Sequence, residues 1–354
     1  MKHSLLPLGG AALATSLLAA GLSGTAQASP DWATDKLAGS NASALSVARF
    51  WAASNYVALK KATAYSPEAA TPRLSAGGGY SPDGRPGTIA PIGAENPTPS
   101  LVKNVNLPKT IGKVFFVANG RFKWCSATSI QSKYRNLVAT AGHCVYDTAN
   151  NGQTLDRWVF VPGYYQGKAP WGIYVGKQAW THYDFDVYED YDKDYAFVTV
   201  YNGIGFDRGL KDVGRLGDNV GGQGFTWNQS TGKPVYAFGY PSAPHPDGDK
   251  PYSGVTPKYQ YGKPSGKVYV SAAEKVEEHV GLKAAFTPGA DGGPWLTQYS
   301  SNRRLGYVNG VTSLFGDQDK NNRYDLITSP YFDGETADIY KKAANVWSGS
   351  IVRK

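Results

Sequence analysis

Hydrophobic and polar positions alternate differently in different parts of the chain. From Asn41 to Ala64, apolar residues recur at roughly helical spacing, which predicts an amphipathic helix. From residue 108 onward, short apolar and aromatic runs are separated by turn residues, which is typical of strands. These runs span residues 113–118, 122–130, 136–141, 158–161, 173–175, 194–201, 235–240, 267–271, 280–286, 295–298 and 305–314. So many short strands with Gly and Pro between them predict an all-β barrel or sandwich rather than alternating strands and helices.

Two further segments complete the pattern. Near the end of the chain, Thr336 is a candidate cap for a second helix. The apolar residues of that helix would form one face: Ile339, Tyr340, Ala343, Ala344 and Trp347. Residues 66–99 are instead rich in Pro and Gly, which predicts a linker between the first helix and the β region.

The first 28 residues have the features of a signal peptide. A basic start at Lys2 precedes an apolar run, and small residues end at Ala28, which places cleavage before Ser29. The alternative is a membrane anchor, but Pro and Gly interrupt the run and it is short for a bilayer span. We therefore expect a secreted protein with no membrane association.

Composition supports an exported, β-rich protein. Charged residues make up only 18% of the chain, whereas Gly (42) and Tyr (24) are plentiful. The net charge of +8 comes from Lys and Arg that are scattered singly, and no nucleic-acid motif accompanies them. We expect no nucleic-acid partner. Two cysteines in an exported chain, Cys125 and Cys144, favour a disulfide over a metal site.

Three motifs then follow one another along the chain. Thr140–Cys144 has the sequence Thr-Ala-Gly-His-Cys, Asp194 leads directly into the apolar run Tyr195–Val198, and Gly289–Trp295 has the sequence Gly-Ala-Asp-Gly-Gly-Pro-Trp. Together they resemble the histidine, aspartate and nucleophile motifs of chymotrypsin-fold serine proteases. The resemblance implies two antiparallel six-stranded β-barrels followed by a C-terminal helix, with residues 108–354 as the protease domain.

The resemblance also implies roles for these residues. His143 would be the general base, and Asp194 the acid that orients its imidazole. Asp192 is an alternative acid because several carboxylates lie close by in the sequence. Cys144 would pair with Cys125 and fix the loop that carries His143.

The nucleophile position is occupied by Asp291 instead of serine. The backbone N–H groups of Gly289 and Asp291 would form the oxyanion hole. A carboxylate at this position would favour the protonated ring of His143 and could accept hydrogen bonds from those N–H groups, and both effects oppose acyl transfer. We expect little or no peptidase activity. The alternatives are an active peptide-bond hydrolase of this family and a non-catalytic homologue that binds a protein or peptide.

Other positions place the chain nearer to bacterial members. Ala290 replaces the aspartate that receives the new N-terminus in trypsin, and Gly239–Pro241 resembles a motif of the glutamyl-endopeptidase branch. Residues 29–107 resemble a pro-segment with one short helix, with an unprocessed tether as the alternative. Thr312 and Ser313 are predicted to contact substrate, and their hydroxyls do not support a preference for Lys or Arg.

A polar loop near the C-terminus suggests a calcium site. Oxygen-bearing side chains recur at calcium-loop positions: Asp317, Asp319, Asn321 and Asp325. The usual Gly and Glu of such a loop are replaced by Asn322 and Thr328, so a plain polar turn is the alternative. No cofactor is required by the resemblance, and we expect a monomer that acts on, or binds, a protein or peptide.

Overall fold

A computed structural model describes residues 31–66, 75–93, 108–148, 153–206 and 209–352. The predicted signal peptide, residues 1–28, lies outside these ranges, as do parts of the predicted linker. The described residues belong to one compact unit. Strands dominate it, as the sequence predicts.

The strands are β1 (Trp32–Lys36), β2 (Thr63–Ala64), β3 (Ser75–Ala76), β4 (Gly87–Ile89), β5 (Ile111–Ala118), β6 (Arg121–Ile130), β7 (Leu137–Thr140), β8 (Tyr146–Asp147), β9 (Gln153–Thr154), β10 (Asp156–Pro162), β11 (Tyr174–His182), β12 (Ala196–Val200), β13 (Gly203–Gly205), β14 (Lys211–Gly214), β15 (Gly224–Trp227), β16 (Val235–Gly239), β17 (Lys258–Gly262), β18 (Val268–Ser271), β19 (Val276–Lys283), β20 (Pro294–Ser300), β21 (Leu305–Val311), β22 (Phe315–Gly316) and β23 (Leu326–Ser329). The helices are α1 (Asn41–Lys61), α2 (Tyr183–Tyr188), α3 (Leu216–Val220) and α4 (Gly334–Ala344).

Six antiparallel strands close the first barrel, in the order β11-β10-β5-β6-β7-β12, with β12 pairing back onto β11. The β5–β6 hairpin turns at Asn119 and Gly120, which both have positive φ, as a tight hairpin requires. Successive residues of β5 pack on opposite sides of the strand: Phe115 lies against Trp51 of α1, whereas Phe116 joins the cluster around Cys125. Both faces of β5 are therefore buried.

The second half of the β region consists of two sheets that form a half-barrel. One has the order β17-β16-β20-β21-β15-β4 and the other β22-β23-β19-β18-β3. The pairing of β15 with β21 is parallel, and the other pairings within these two sheets are antiparallel. This architecture confirms the predicted chymotrypsin-type fold. The half-barrel is more open than the predicted second six-stranded barrel because its strands divide between two sheets.

The described residues that precede the first barrel in the chain pack on that barrel and on the half-barrel. β1 pairs with β11 along its whole length, and α1 buries Trp51 fully, with its indole N–H donating to the Arg157 carbonyl oxygen at 2.6 Å. The predicted helix is interrupted at residues 53–56, where the backbone leaves helical geometry. β3 and β4, which lie within the predicted linker, pair with β18 and β15.

The C-terminal helix is confirmed, with a shift at its start. Asp333 is the N-cap, and Thr336 lies three positions into the helix, where it completes a capping box. Trp347 lies beyond the end of the helix and is 52% exposed, so it is not part of the buried face. Within the described ranges, no helix combines the length and apolar character needed to cross a bilayer.

Candidate active site

His143 lies at the end of β7, on a single 3-10 turn that spans Gly142–Cys144. The disulfide Cys125–Cys144 ties this turn to β6, as the resemblance implied. A side chain at Gly142 would meet the Phe185 ring, because a Cβ there would lie 2.5 Å from it. The turn is therefore fixed from two sides, and the imidazole of His143 is only 1% exposed.

Asp194 is the acid that orients His143. Its two carboxylate oxygens accept the backbone N–H of His143 and contact ring atom Nδ1, each at 2.8 Å. Asp194 is fully buried, and the Ser313 hydroxyl donates a further hydrogen bond to it. The alternative acid, Asp192, instead accepts the backbone N–H groups of Glu277 and Glu278. Burial raises the pKa of Asp194, but the charge and hydrogen bonds of His143 outweigh it and lower the pKa below its usual value.

The carboxylate of Asp291 lies next to both groups that it was predicted to meet, the His143 ring and the backbone N–H of Gly289. One carboxylate oxygen, Oδ1, lies 3.5 Å from His143 Nε2, and the other, Oδ2, accepts the backbone N–H of Gly289 at 2.6 Å. The Asp291 side chain is 4% exposed. The N–H group of Gly289, which the resemblance assigns to the oxyanion hole, is thus already hydrogen-bonded inside the protein.

The backbone of this loop is held closely against the first barrel. Ser126 donates its N–H to the Asp291 carbonyl oxygen at 2.8 Å, and its hydroxyl donates to the Gly289 carbonyl oxygen at 2.7 Å. Gly292 has φ of +74°, and a Cβ there would lie 2.1 Å from Thr140 Oγ1. Only glycine fits this contact, which explains one glycine of the motif.

The electrostatics favour a charged imidazole. Burial lowers the pKa of His143, but Asp194 and Asp291 together outweigh it and raise the pKa from 6.5 to about 10. The ring therefore carries a proton on both nitrogens at neutral pH. An imidazolium cannot accept a proton from a nucleophile, so the site in this state lacks a general base.

The N-terminal segment covers the site, which the sequence did not predict. β2 pairs in parallel with β6, and the N–H of Tyr65 donates to the Trp124 carbonyl oxygen at 2.9 Å. The ring of Tyr65 lies 6.3 Å from that of His143, and a Cβ at Gly289 would lie 3.0 Å from Ala64 Cβ. The ring of Tyr191 stacks on the imidazole, with ring centroids 6.0 Å apart. No sequence motif marks either tyrosine.

Thr312 and Ser313 are both buried, and their hydroxyls contact protein groups. Thr312 Oγ1 accepts the indole N–H of Trp295 at 3.0 Å, while the Ser313 hydroxyl donates to Asp194. These hydroxyls therefore position the loop and the acid, and contact of the two residues with substrate stays a prediction. No pattern in the sequence indicates this role, because Ser313 and Asp194 lie 119 positions apart.

The predicted calcium loop is closed by its own hydrogen bonds. Asp317 accepts the N–H groups of Asn321 and Asn322, and Asp325 accepts that of Gln318. The carboxylates of Asp317, Asp319 and Asp325 do not gather as a group with ligand oxygens all within 4.8 Å of one another. This geometry favours the polar turn that was the alternative interpretation.

One cluster in the described part of the chain has metal-ligand residue types within that distance: Cys125, His143 and Cys144. The two sulfur atoms are joined in the disulfide, so they are not available as thiolate ligands. The cluster belongs to the histidine loop and is not a metal site.

Comparisons with known proteins agree with this geometry. No protein-family model matches the chain, and no curated protein matches it significantly. Among solved structures, it is similar to the protease Anisep from Arthrobacter nicotinovorans, with a TM-score of 0.55 and 26% identity over 68% of this chain and 98% of that one. It is also similar to a thermostable serine protease, AL20, from an extremophilic microorganism, with a TM-score of 0.56 and 26% identity over 68% of this chain and 99% of that one. The chain therefore has the fold of the bacterial chymotrypsin-type serine proteases, which need no cofactor.

Proposed function

We propose that this chain is a secreted, monomeric homologue of the trypsin-like serine endopeptidases that binds a protein or peptide in its cleft and hydrolyses peptide bonds little or not at all. One observation carries the proposal: the carboxylate of Asp291 lies between His143 and the N–H of Gly289. It hydrogen-bonds one N–H group of the predicted oxyanion hole and places a negative charge 3.5 Å from the ring nitrogen that would have to accept a proton.

The chemistry of a carboxylate supports this conclusion. Attack by Asp291 on an amide would give a mixed anhydride, an intermediate that lies far uphill from the amide. Removal of the serine nucleophile in enzymes with a Ser-His-Asp site lowers turnover by about a millionfold. The imidazolium of His143 cannot compensate, because it has no site for the proton that a water nucleophile would release.

A second candidate function, peptide-bond hydrolysis, is supported by one specific feature. The pair His143–Asp194 has the geometry of a working base and its orienting acid, with the ring atom Nδ1 2.8 Å from the carboxylate. A serine at position 291 would therefore lie beside a histidine and an acid that are already positioned. This pair also makes the comparison with an Asp291→Ser variant informative.

Turnover of a peptide ester by the secreted protein and by Asp291→Ser is the direct test. We expect turnover by the unmodified protein to be near background. Turnover by the variant should be at least about a thousandfold higher, because removal of the nucleophile from this kind of site lowers turnover by at least that factor. A fluorophosphonate should label Asp291→Ser but not the unmodified protein. The double variant Asp291→Ser, His143→Ala is the matched control and should lose the gain. Efficient cutting by the unmodified protein would overturn the proposal.

We also infer that residues 29–107 are a pro-segment and that residues 1–28 direct secretion. The contacts of Ala64 and Tyr65 over Gly289 and His143 support a segment that covers the cleft. N-terminal sequencing of protein from the culture medium of a secreting bacterial host should find Ser29 first, or a later residue if the segment is removed. A start at Met1 would contradict the signal peptide.

A further inference from the structure

The two oxygens of the Asp291 carboxylate have different surroundings. Oδ2 accepts the backbone N–H of Gly289 at 2.6 Å. Oδ1 lies 3.5 Å from His143 Nε2, and this contact is an ion pair without a hydrogen bond. One oxygen is therefore fixed in the predicted oxyanion hole, and the other faces the imidazole with a lone pair that can react.

The ring nitrogen that faces Asp291 is a second unused group. Nε2 of His143 is buried and has no hydrogen-bond partner among the described residues. Asp194 contacts the opposite ring nitrogen at 2.8 Å and so fixes the edge of the ring that faces Asp291. A buried donor without a partner costs free energy, which an acceptor oxygen of a bound ligand would recover. The site thus holds a nucleophilic oxygen and a proton donor side by side.

A carboxylate beside an imidazolium suits one kind of electrophile. Carboxylates act as nucleophiles in enzymes that form covalent intermediates. Attack on an amide would give an anhydride, but attack on a saturated carbon gives an ordinary ester. An epoxide offers such a carbon in a strained ring, and its oxygen needs a proton as the ring opens, which an imidazolium can supply. An alkyl halide releases an anion that needs no proton, so the pair favours an epoxide.

We propose that Asp291 opens epoxides and that the site hydrolyses the resulting ester to a vicinal diol. In the first step, Oδ1 forms a bond to one epoxide carbon, and the bond between that carbon and the ring oxygen breaks. The Nε2 proton of His143 moves to that oxygen. The proposal goes beyond the proposed function, because it concerns a different bond and needs no bound peptide.

The second step uses the same groups in new roles. His143, now neutral, accepts a proton from a water molecule whose oxygen attacks Cγ of Asp291. Oδ2 takes up the negative charge, and the Gly289 N–H that it already contacts stabilises this charge. The Cγ–Oδ1 bond then breaks, and Oδ1 leaves in the diol with the proton from His143. The new carboxyl group returns its own proton to the ring and keeps the oxygen of the water.

The origin of the diol oxygen tests the covalent step in the unmodified protein. Protein in excess over styrene oxide is incubated in water labelled with heavy oxygen. We expect the first diol to carry unlabelled oxygen and the peptide that contains Asp291 to gain one heavy oxygen atom, as measured by mass spectrometry. Heavy oxygen in the first diol would show direct attack by water and overturn the proposal. So would the absence of diol from both the unmodified protein and Tyr65→Ala, which lacks the ring beside His143.

Variants test the roles of the two side chains. Asp291→Asn should form diol about a hundredfold more slowly or less, a factor typical of a lost proton transfer alone. Asp338→Asn is the matched control, because its side chain is 70% exposed on α4, and it should keep the unmodified rate. In His143→Gln the ester on Asp291 should persist, because glutamine cannot accept a proton from water. Equal rates for Asp291→Asn and Asp338→Asn, or reaction with chlorohexane but not with styrene oxide, would overturn the proposal.

These results are distinguishable from those on peptide substrates. Efficient cutting of a peptide ester by the unmodified protein would overturn the proposed function and leave the oxygen transfer from Asp291 standing. Absence of diol, with the peptide ester near background, would overturn the epoxide proposal alone. Should Asp291→Asn fail to fold, the oxygen transfer measured on the unmodified protein still decides.

Discussion

At the scale of single residues, Asp291 and His143 define the state of the site. The sequence shows an aspartate where a nucleophile is expected, but the structure shows what its two oxygens contact. One lies 3.5 Å from His143 Nε2 and the other accepts the Gly289 N–H. Together with Asp194, this arrangement holds a proton on the ring, so one substitution changes both the nucleophile and the base.

The titration of His143 should report this arrangement. We expect its imidazole to remain charged at pH 7 and to titrate near 10, and we expect Asp291→Asn to lower that pKa because one of the two carboxylates is lost. NMR of histidine-labelled protein measures both values. His279 is an internal control: burial lowers its pKa, and both ring nitrogens have partners in Thr328 and Tyr191. A His143 pKa near 6.5 in the unmodified protein would contradict the ion pair.

The same pKa shift has a consequence for folding. A histidine whose pKa is raised from 6.5 to about 10 stabilises the folded state fully below pH 6.5, and this contribution is lost as pH rises through the pKa of the folded state. The free energy of unfolding of the unmodified protein should therefore fall between pH 6.5 and 10. In Asp291→Asn the fall should be smaller. Denaturant unfolding at several pH values measures the difference.

At the scale of elements, β2 is the feature with the largest functional consequence. Its residues, Thr63–Ala64, and the following Tyr65 lie over the loop that carries Gly289. The sequence predicted a helix through Ala64 and a linker after it, because a strand of two residues has no periodicity. Pairing with β6 decides its position.

The cover formed by Tyr65 can be tested in the reactive background Asp291→Ser. We expect Tyr65→Ala to speed labelling by a fluorophosphonate, since the ring packs beside His143 and on Phe116. Tyr261→Ala, at a position that is 57% exposed, serves as the control and should leave the rate unchanged. Equal labelling rates for the Tyr65 and Tyr261 variants would show that this ring does not limit access.

At the scale of the whole molecule, the N-terminal segment is part of the folded unit. β1 extends the first barrel, α1 packs on β11, β10 and β6, and β4 adds an edge to the second half. Trp51 is buried completely among Phe50, Phe115 and Phe122. A disordered tether would make none of these contacts.

Stability of Trp51→Ala tests this integration. We expect the free energy of unfolding to fall by about 3–5 kcal/mol, because a large buried side chain and its hydrogen bond to Arg157 are lost. Val57→Ala, on the same helix at a position 38% exposed, should change it by less than about 0.5 kcal/mol. Denaturant unfolding compares the two. A loss for Trp51→Ala as small as that expected for Val57→Ala would mean that α1 does not contribute to the cooperative unit.

The sequence by itself determined the fold class and the chemical residues of the site. Short strands alternate with turns, and Thr140–Cys144, Asp194 and Gly289–Trp295 are local patterns that can be recognised without coordinates. Local pattern also predicted the existence of α4 and most of its buried face, although the cap is Asp333 and Trp347 lies beyond the helix.

Only the tertiary structure decided which groups meet. The hydrogen bond from Ser313 to Asp194 joins residues 119 positions apart, and the cover of Tyr65 depends on the pairing of β2 with β6. Lys113 on β5 meets the rings of Trp124 on β6 and of Tyr164 and Tyr240 in two loops. Such contacts arise from barrel closure and long-range packing. They leave no periodic or local trace in the sequence, because each partner taken alone is an ordinary serine, tyrosine or lysine.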